Sequence, residues 1–273
     1  MDNKSRSLAV IGVGNMAKAI IHGIIKANID ISEIFLYDNN DSQYGDLKEL
    51  NYKFKYAKSI SEAILSADCV LLSVKPQNYG DVLSEISKVK NCGEKLYISI
   101  GAGITSDSVS NALNNAAVIR VLPNVPMLIG KGVSVICKAP QVLSDDFAFV
   151  CSIFESAGSI LLIDEAEMNR IIGVTSSSPA YVFKFINAIY QGALSQGLCS
   201  DALLDSICDM VIGSAQLLKD SSDTPEKLIS RVASKGGTTE QALLKLDEHN
   251  FDAIIEDAMK ACTMRADELG KNK

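Results

Sequence analysis

The chain has 273 residues, 47% of them hydrophobic, and a formal net charge of −7 at pH 7. This length and composition predict one large or two ordinary domains with a substantial core. The acidic balance argues against nucleic acid and anionic membranes as partners, and no apolar stretch approaches the roughly 20 residues of a membrane helix.

The cysteine and histidine content limits the metal and thiol sites that the chain can form. Seven scattered cysteines without Cys-x-x-Cys spacing predict small buried thiols in a reducing cytoplasm. With only His22 and His249 in the chain, we expect no histidine-rich metal site and no bound metal. The first residues lead directly into an apolar strand without a signal-peptide pattern, so we expect a cytoplasmic protein.

A glycine-rich turn joins the first predicted strand, 8–11, to the first predicted helix, 18–27. It reads Gly12-Val13-Gly14-Asn15-Met16-Ala17, the Gly-x-Gly-x-x-Ala pattern of dinucleotide-binding folds. Gly12 permits the tight turn, Gly14 lets a pyrophosphate approach the backbone, and Ala17 allows close helix packing. The unpaired N–H groups at the helix start favour an anion. We therefore predict a cofactor loop formed by all six residues.

Strands and helices alternate over the first 160 or so residues. Further strands are predicted at 34–37, 53–56, 69–74, 96–100, 118–122, 132–137 and 160–163, and helices at 44–50, 61–65, 106–113 and 145–156. The continuous apolar run 69–74 is typical of a strand buried on both faces. This alternation predicts an α/β fold, a Rossmann-type doubly wound sheet with right-handed crossovers, as a dinucleotide-binding domain at 1–164.

In such sheets, ligands bind beyond the carboxyl ends of the strands. Five successive strand ends carry glycine, proline, asparagine or lysine, and together they outline a cofactor groove. Beyond the glycine-rich loop, the predicted cofactor-binding residues are Asp38, Val74, Lys75, Pro76, Ala102 and Asn124. Lys75 can meet a phosphate or a ribose hydroxyl, with a solvated surface lysine as the alternative.

Asp38 bears on the choice of cofactor. An acid at the end of the second strand can accept hydrogen bonds from the adenine-ribose hydroxyls of NAD and repels the 2′-phosphate of NADP. No arginine follows in Asp38-Asn39-Asn40-Asp41. The residue pattern therefore favours NADH, with an aspartate that caps the next turn as the alternative.

After residue 163, every predicted element is a helix. Ser178 is the expected N-cap of a long helix that begins at Pro179 and contains the segment 180–198. This helix is apolar on nearly every face, so it must be buried on all sides, and we expect a partner subunit to help. Further helices are predicted at 201–219, 224–231 and 252–269. Residues 165–273 are thus predicted as an all-α dimerisation and substrate-binding domain.

A second glycine-rich loop, 233–237, precedes a helix that continues through 246. Thr238 and Gln241 match a Thr-x-x-Gln capping box, which alone predicts a well-capped helix. The functional alternative is a second anion pocket, in which Gly236 and Gly237 expose backbone N–H groups to a substrate carboxylate. If Thr238 caps the helix, the hydroxyl of Thr239 is free to face a ligand.

Five separated motifs together resemble the pyrroline-5-carboxylate reductase family along essentially the full chain. They are Gly12-Val13-Gly14-Asn15-Met16-Ala17, Val74-Lys75-Pro76, Leu122-Pro123-Asn124-Val125-Pro126, Ser177-Ser178-Pro179-Ala180-Tyr181 and Ser234-Lys235-Gly236-Gly237-Thr238-Thr239. The resemblance implies the last step of proline biosynthesis, in which a hydride passes from a reduced nicotinamide to C5 of the cyclic imine 1-pyrroline-5-carboxylate. It also implies a dimer with interleaved helical domains, often within a pentamer of dimers.

The resemblance implies a substrate site formed by Ser234, Gly236, Gly237, Thr238 and Thr239. The substrate carboxylate is assigned to the backbone of Gly237 and Thr238, and the imine nitrogen to the catalytic hydroxyl of Thr239. Such a reaction needs orientation and charge neutralisation rather than a nucleophile or metal.

Three features depart from the family pattern. Val125 replaces a threonine, the pair Thr175-Ser176 replaces Ser-Gly, and Asp38 is unusual where NADPH is the donor. The resemblance implies NADPH and the residue favours NADH, so we expect use of both.

Two alternative functions share this layout. In β-hydroxyacid dehydrogenases, the long helix carries a catalytic lysine and an asparagine, at whose positions this chain has Val182 and Phe185. Lys184 is two residues beyond the lysine position at Val182, about 200° around the helix, so it cannot replace the catalytic lysine. The other alternative is a non-catalytic NAD(P)H sensor, against which the intact Gly-Gly-Thr-Thr loop argues.

Overall fold

The computed structural model describes residues 5–50, 52 and 54–271. Its strands are β1 Arg6–Ile11, β2 Ile31–Tyr37, β3 Phe54–Tyr56, β4 Cys69–Leu72, β5 Leu96–Ser99, β6 Ala117–Leu122, β7 Gly132–Lys138 and β8 Gly158–Leu162. Its helices are α1 Asn15–Lys26, α2 Gly45–Lys48, α3 Ile60–Ser66, α4 Tyr79–Ile86, α5 Ser106–Ala112, α6 Ser144–Glu155, α7 Met168–Ile171, α8 Ser178–Ser195, α9 Leu203–Asp220, α10 Pro225–Val232, α11 Thr238–Glu248 and α12 Phe251–Lys271.

The strands form one sheet in the order β3-β2-β1-β4-β5-β6-β7-β8. The first six strands are mutually parallel and follow the order 3-2-1-4-5-6 of the Rossmann fold. Strand β7 pairs antiparallel with β6, and β8 pairs parallel with β7. This arrangement confirms the predicted Rossmann-type sheet. The antiparallel direction of β7 was not predicted from the sequence.

Both faces of the sheet are covered, as the apolar strands predicted. In β1, Leu8 and Val10 face a core that includes Ile20 and Ile24 of α1. Ala9 and Ile11 alternate with them and face a second core built from α3, α4 and α5. A sheet buried on both sides places its ligand sites at the strand ends rather than on a face.

The chain divides into two compact units, one of residues 1–177 with 259–273 and one of residues 178–258. The first unit holds the sheet and the last part of α12. The second unit is helical, from α8 to the first part of α12. The prediction that the chain after residue 163 is helical is therefore confirmed. The domain boundary at 164/165 stays a prediction.

Several details differ from the predictions. Helix α4 was missed, and the helix expected at 44–50 is a 3-10 turn, Asp41–Tyr44, followed by the short α2. Ser178 is the first residue of α8 rather than its N-cap, because a π-helical turn, Ile172–Ser176, precedes it. Lys53, expected to begin the third strand, lies outside the described residues. No helix in the described part of the chain is long and apolar enough to cross a membrane.

Candidate functional site

A groove of about 550 Å³ runs along the carboxyl ends of β1, β2 and β4. Among the predicted cofactor residues, the ones that line it are Gly12, Gly14, Asp38, Val74 and Lys75. The sheet brings these residues together because parallel strands end at the same edge. Within the described residues, no cluster of three or more histidine, cysteine or acidic side chains could hold a metal ion.

The two glycines of the first loop meet different surroundings. Gly12 has φ +88°, and a Cβ there would lie 2.8 Å from the carbonyl oxygen of Ser73. The backbone itself therefore demands glycine at this position. A Cβ at Gly14 would meet no atom within 4 Å. Open space in front of Gly14, at the start of α1, fits a pyrophosphate that approaches the backbone and the helix N–H groups.

Asp38 ties the end of β2 to the glycine-rich loop. Its Oδ2 accepts a hydrogen bond from the Val13 N–H at 2.7 Å, and its Oδ1 accepts one from the Asn40 N–H at 2.9 Å. The second contact is the turn cap that the sequence analysis gave as the alternative. Each carboxylate oxygen has a second lone pair, so these bonds leave Asp38 able to accept a ribose hydroxyl.

The charged side chains that line the groove are mostly acidic. Asp38, Asp81 and Glu85 face it, and Lys75 is the one cation among its described lining residues. Burial raises the pKa of Tyr37, and the nearby carboxylates of Glu85 and Asp38 raise it further. The neutral hydroxyl of Tyr37 donates to Asn39 Oδ1 at 2.9 Å. An acidic lining of this kind favours hydroxyl groups over a 2′-phosphate.

A second hollow lies beside Asp38, with a volume of about 630 Å³. It shares Tyr37, Asp38 and Asn39 with the groove, and the charged residues that it adds are Asp41 and Lys58. Lys58 gives this side of Asp38 a cation that could partner a phosphate. The electrostatics beside the second strand are therefore mixed rather than purely acidic.

The other predicted cofactor residues lie outside the groove lining: Val13, Asn15, Met16, Ala17, Pro76, Ala102 and Asn124. Ala17 is fully buried, as expected of a residue that lets α1 pack against the sheet. Asn124 uses its amide within the protein, where Oδ1 accepts from the Val133 N–H at 2.8 Å and Nδ2 donates to the Thr175 carbonyl at 3.1 Å. A cofactor contact of Asn124 stays a prediction.

Sequence reasoning missed a buried ionic cluster. Arg120 of β6 is 1% exposed, and it pairs with Glu165 at 2.7 Å and with Asn169 Oδ1 at 2.5 Å. Glu165 also accepts from the hydroxyl of Ser106 at 2.9 Å, and Asn169 donates to Asp267 of α12. The sequence feature that could have indicated this cluster is the single arginine within the otherwise apolar strand β6.

The second glycine-rich loop, 233–237, lies in the helical unit. The Gly237 N–H donates to the Ser234 carbonyl at 2.9 Å, and Gly236 adopts φ +75° at the third position of the resulting turn. A Cβ at Gly237 would lie 2.9 Å from the backbone carbonyl oxygen of Ser234, which is too close. The loop therefore needs both glycines to keep its shape.

The predicted capping box at Thr238 is wrong. The N-cap of α11 is Gly237, which makes no side-chain cap, and Thr238 is the first helical residue. Instead, Glu240 accepts the Gly236 N–H at 2.7 Å. Thr238 is exposed and Thr239 half-buried. The first helical N–H groups, those of Thr238 and Thr239, have no acceptor within the helix itself, which suits an anion.

A Rossmann-type sheet with this loop, followed by a helical unit, defines a dinucleotide-dependent oxidoreductase. The chain belongs to the pyrroline-5-carboxylate reductase family. The family model described as "Pyrroline-5-carboxylate reductase dimerisation" matches residues 165–269, and one described as "NADP oxidoreductase coenzyme F420-dependent" matches residues 7–103.

Relatives match over nearly the whole chain. The pyrroline-5-carboxylate reductase of Escherichia coli is 33% identical over 98% of this chain and 99% of its own length. That of Corynebacterium melassecola is 30% identical over 97% and 99%. The crystal structure of Plasmodium falciparum pyrroline carboxylate reductase with NADP bound covers 99% of both chains at 28% identity, with a TM-score of 0.87.

More distant structures share the fold alone. The prephenate dehydrogenase of A. aeolicus is 14% identical, with a TM-score of 0.55. The family resemblance stated from the five motifs is thus confirmed, and so is an oxidoreductase of the NAD(P)-binding class that self-associates through its C-terminal region.

Proposed function

We propose that this protein reduces 1-pyrroline-5-carboxylate to L-proline with NADPH or NADH, the last step of proline biosynthesis. The observation that carries the proposal is the match to named reductases over the full chain together with an intact Ser-Lys-Gly-Gly-Thr-Thr loop. Cofactor binding is assigned to residues 1–164, and substrate binding and dimerisation to residues 165–273. A cytoplasmic location belongs to the same proposal and is supported by seven free cysteines.

The residues of the first unit fit a dinucleotide. Open space at Gly14 admits the pyrophosphate, Asp38 can accept ribose hydroxyls, and Lys75 adds the cation of the groove. When bound, the reduced nicotinamide supplies the hydride for C5 of the imine. Lys58 beside Asp38 supports use of NADPH as well as NADH.

The residues of the second unit hold the substrate in this proposal. The Gly237 N–H already donates to the Ser234 carbonyl and is not free for the substrate. The substrate carboxylate is therefore bound by the N–H groups of Thr238 and Thr239 instead of those of Gly237 and Thr238. The Thr239 hydroxyl bonds the imine nitrogen, where a proton is needed as the ring becomes an amine. Gly236 and Ser234 shape the turn that presents these groups.

The direct experiment follows NADPH and NADH oxidation by the purified protein with 1-pyrroline-5-carboxylate. Imine-dependent oxidation with either cofactor supports the proposal. Its absence, or activity found instead with hydroxyacids in the reverse direction, refutes it. Thr239→Ala should lower kcat, with Thr239→Ser as the control that keeps the hydroxyl, and a Thr239→Ala enzyme with full turnover would remove Thr239 from the mechanism.

The chain self-associates through its helical region in this family, and we propose a dimer as the basic assembly. The family's pentamer of dimers stays a prediction for this chain.

A further inference from the structure

Glu240 makes the contact that closes the second glycine-rich loop onto α11. Its Oε2 accepts the Gly236 N–H at 2.7 Å, across four residues of the chain. Glu240 is the third residue of α11, the position from which a glutamate reaches back to the residues before a helix. Here it reaches Gly236 instead of the N-cap, because the N-cap Gly237 already donates its N–H to Ser234.

The same carboxylate stands at the start of a helix of 11 residues, where the helix dipole favours an anion. The substrate, in the function proposed above, brings a second carboxylate to the N–H groups of Thr238 and Thr239. Two anions at one helix start repel each other, and the amount depends on how far solvent screens them. The hydrogen bond to Gly236, in contrast, needs only an acceptor oxygen.

We propose that Glu240 is a positioning residue of the substrate loop, whose acceptor oxygen fixes Gly236 for substrate binding while its negative charge weakens binding of the substrate carboxylate. The proposal rests on the proposed function. It separates two properties of one side chain, and two variants isolate them. Glu240→Gln keeps an acceptor and removes the charge, whereas Glu240→Ala removes both.

The expected results are opposite in sign. Glu240→Gln should lower KM for 1-pyrroline-5-carboxylate about threefold, the size typical of an exposed charge pair. Glu240→Ala should raise that KM about fivefold relative to Glu240→Gln, the size of one lost hydrogen bond. The advantage of Glu240→Gln over the wild type should disappear at about 0.5 M salt because the repulsion is then screened. KM for the cofactor should not change in either variant.

Glu248→Gln is the matched control, because Glu248 lies at the other end of α11 and pairs with Lys245 at 2.5 Å. It should leave KM for the imine unchanged. Equal KM values for Glu240→Gln and Glu240→Ala would overturn the positioning role. A KM for Glu240→Gln equal to or above the wild-type value would overturn the effect of charge. Failure of the proposed function is distinguishable, since the wild type itself would then not oxidise cofactor with the imine.

Discussion

Gly12 and Gly14 flank Val13 in one loop, yet they are glycine for different reasons. At Gly12, a positive φ and the carbonyl of Ser73 exclude a side chain in the protein itself. At Gly14, the protein leaves open space, so in the proposed function the demand for glycine comes from the cofactor. The pattern Gly-x-Gly-x-x-Ala predicted both residues but could not separate a folding requirement from a binding requirement.

Gly14→Ala should therefore fold normally and bind its cofactor poorly. We expect the free energy of unfolding to stay within about 1 kcal/mol of the wild type, while Kd for NADH and NADPH rises about tenfold because the methyl group blocks the pyrophosphate. Chemical denaturation and fluorescence titration measure the two quantities. Gly12→Ala is the comparison and should lose about 2–4 kcal/mol of stability. Wild-type cofactor affinity in Gly14→Ala would contradict this assignment.

Asp38 is the residue expected to set the preference between the two cofactors. Asp38→Ser and Asp38→Asn both remove the charge, but only asparagine retains an amide oxygen that can accept the Val13 N–H now bonded at 2.7 Å. We expect the ratio of kcat/KM for NADPH to that for NADH to rise about tenfold in both variants, since the repulsion of the 2′-phosphate is gone. Asp38→Ser should also lose activity with both cofactors. An unchanged ratio in Asp38→Asn would show that Asp38 does not select the cofactor.

At the scale of secondary-structure elements, the carboxylate of Glu165 connects the turn after β8 with β6 and α5. Glu165, in the turn after β8, pairs with Arg120 of β6 and accepts from Ser106 at the start of α5. Arg120 is almost fully buried, so its charge is costly without a partner. The cluster therefore ties the interior of β6 to the start of α5.

Glu165→Ala should destabilise the protein by about 2–4 kcal/mol, because it leaves a buried guanidinium without its counter-charge. Glu167→Ala is a close control, since Glu167 is exposed and pairs only loosely with Arg170 at 3.7 Å. That change should cost less than about 0.5 kcal/mol. Urea denaturation compares the two, and equal losses would show that the Arg120 pair contributes nothing specific.

Periodicity predicted most elements, and the exceptions have identifiable causes. Helix α4 buries Tyr79, Leu83 and Ile86 at helical spacing, but Gly80 within it weakened the signal. The position of strand β7 was predicted, but its direction was not. The pattern of apolar residues does not show whether a strand runs parallel or antiparallel to its neighbour. The segment between β6 and β7 is shorter than the dozen or so residues that a parallel crossover requires, and that length was the available evidence.

At the scale of the whole molecule, the helical unit lacks a core of its own. Within residues 178–258, all of them described, Ile207 is the only buried hydrophobic residue. The sequence predicted that α8 must be buried on all sides, whereas in the single chain Phe183 is 58% and Phe185 44% exposed. The prediction of a partner subunit followed from this excess of apolar surface, and the dimerisation family match supports it. Which helices meet across the dimer depends on a second chain, and one sequence does not specify that geometry.

Because so much apolar surface of the helical unit is exposed in the single chain, we expect its stability to depend on assembly. Sedimentation velocity at micromolar concentration should give a mass of at least two chains. Phe183→Glu should reduce that mass to one chain and lower the thermal stability of the helical unit, since a charge would be buried in the contact between chains. Leu65→Glu serves as the control, because Leu65 is 57% exposed on α3 in the sheet unit, and it should leave the mass unchanged. A Phe183→Glu protein that keeps the wild-type mass would show that α8 does not contribute this residue to the contact, and the apolar surface of α9, where Ile212 is 66% exposed, would then be the face that associates.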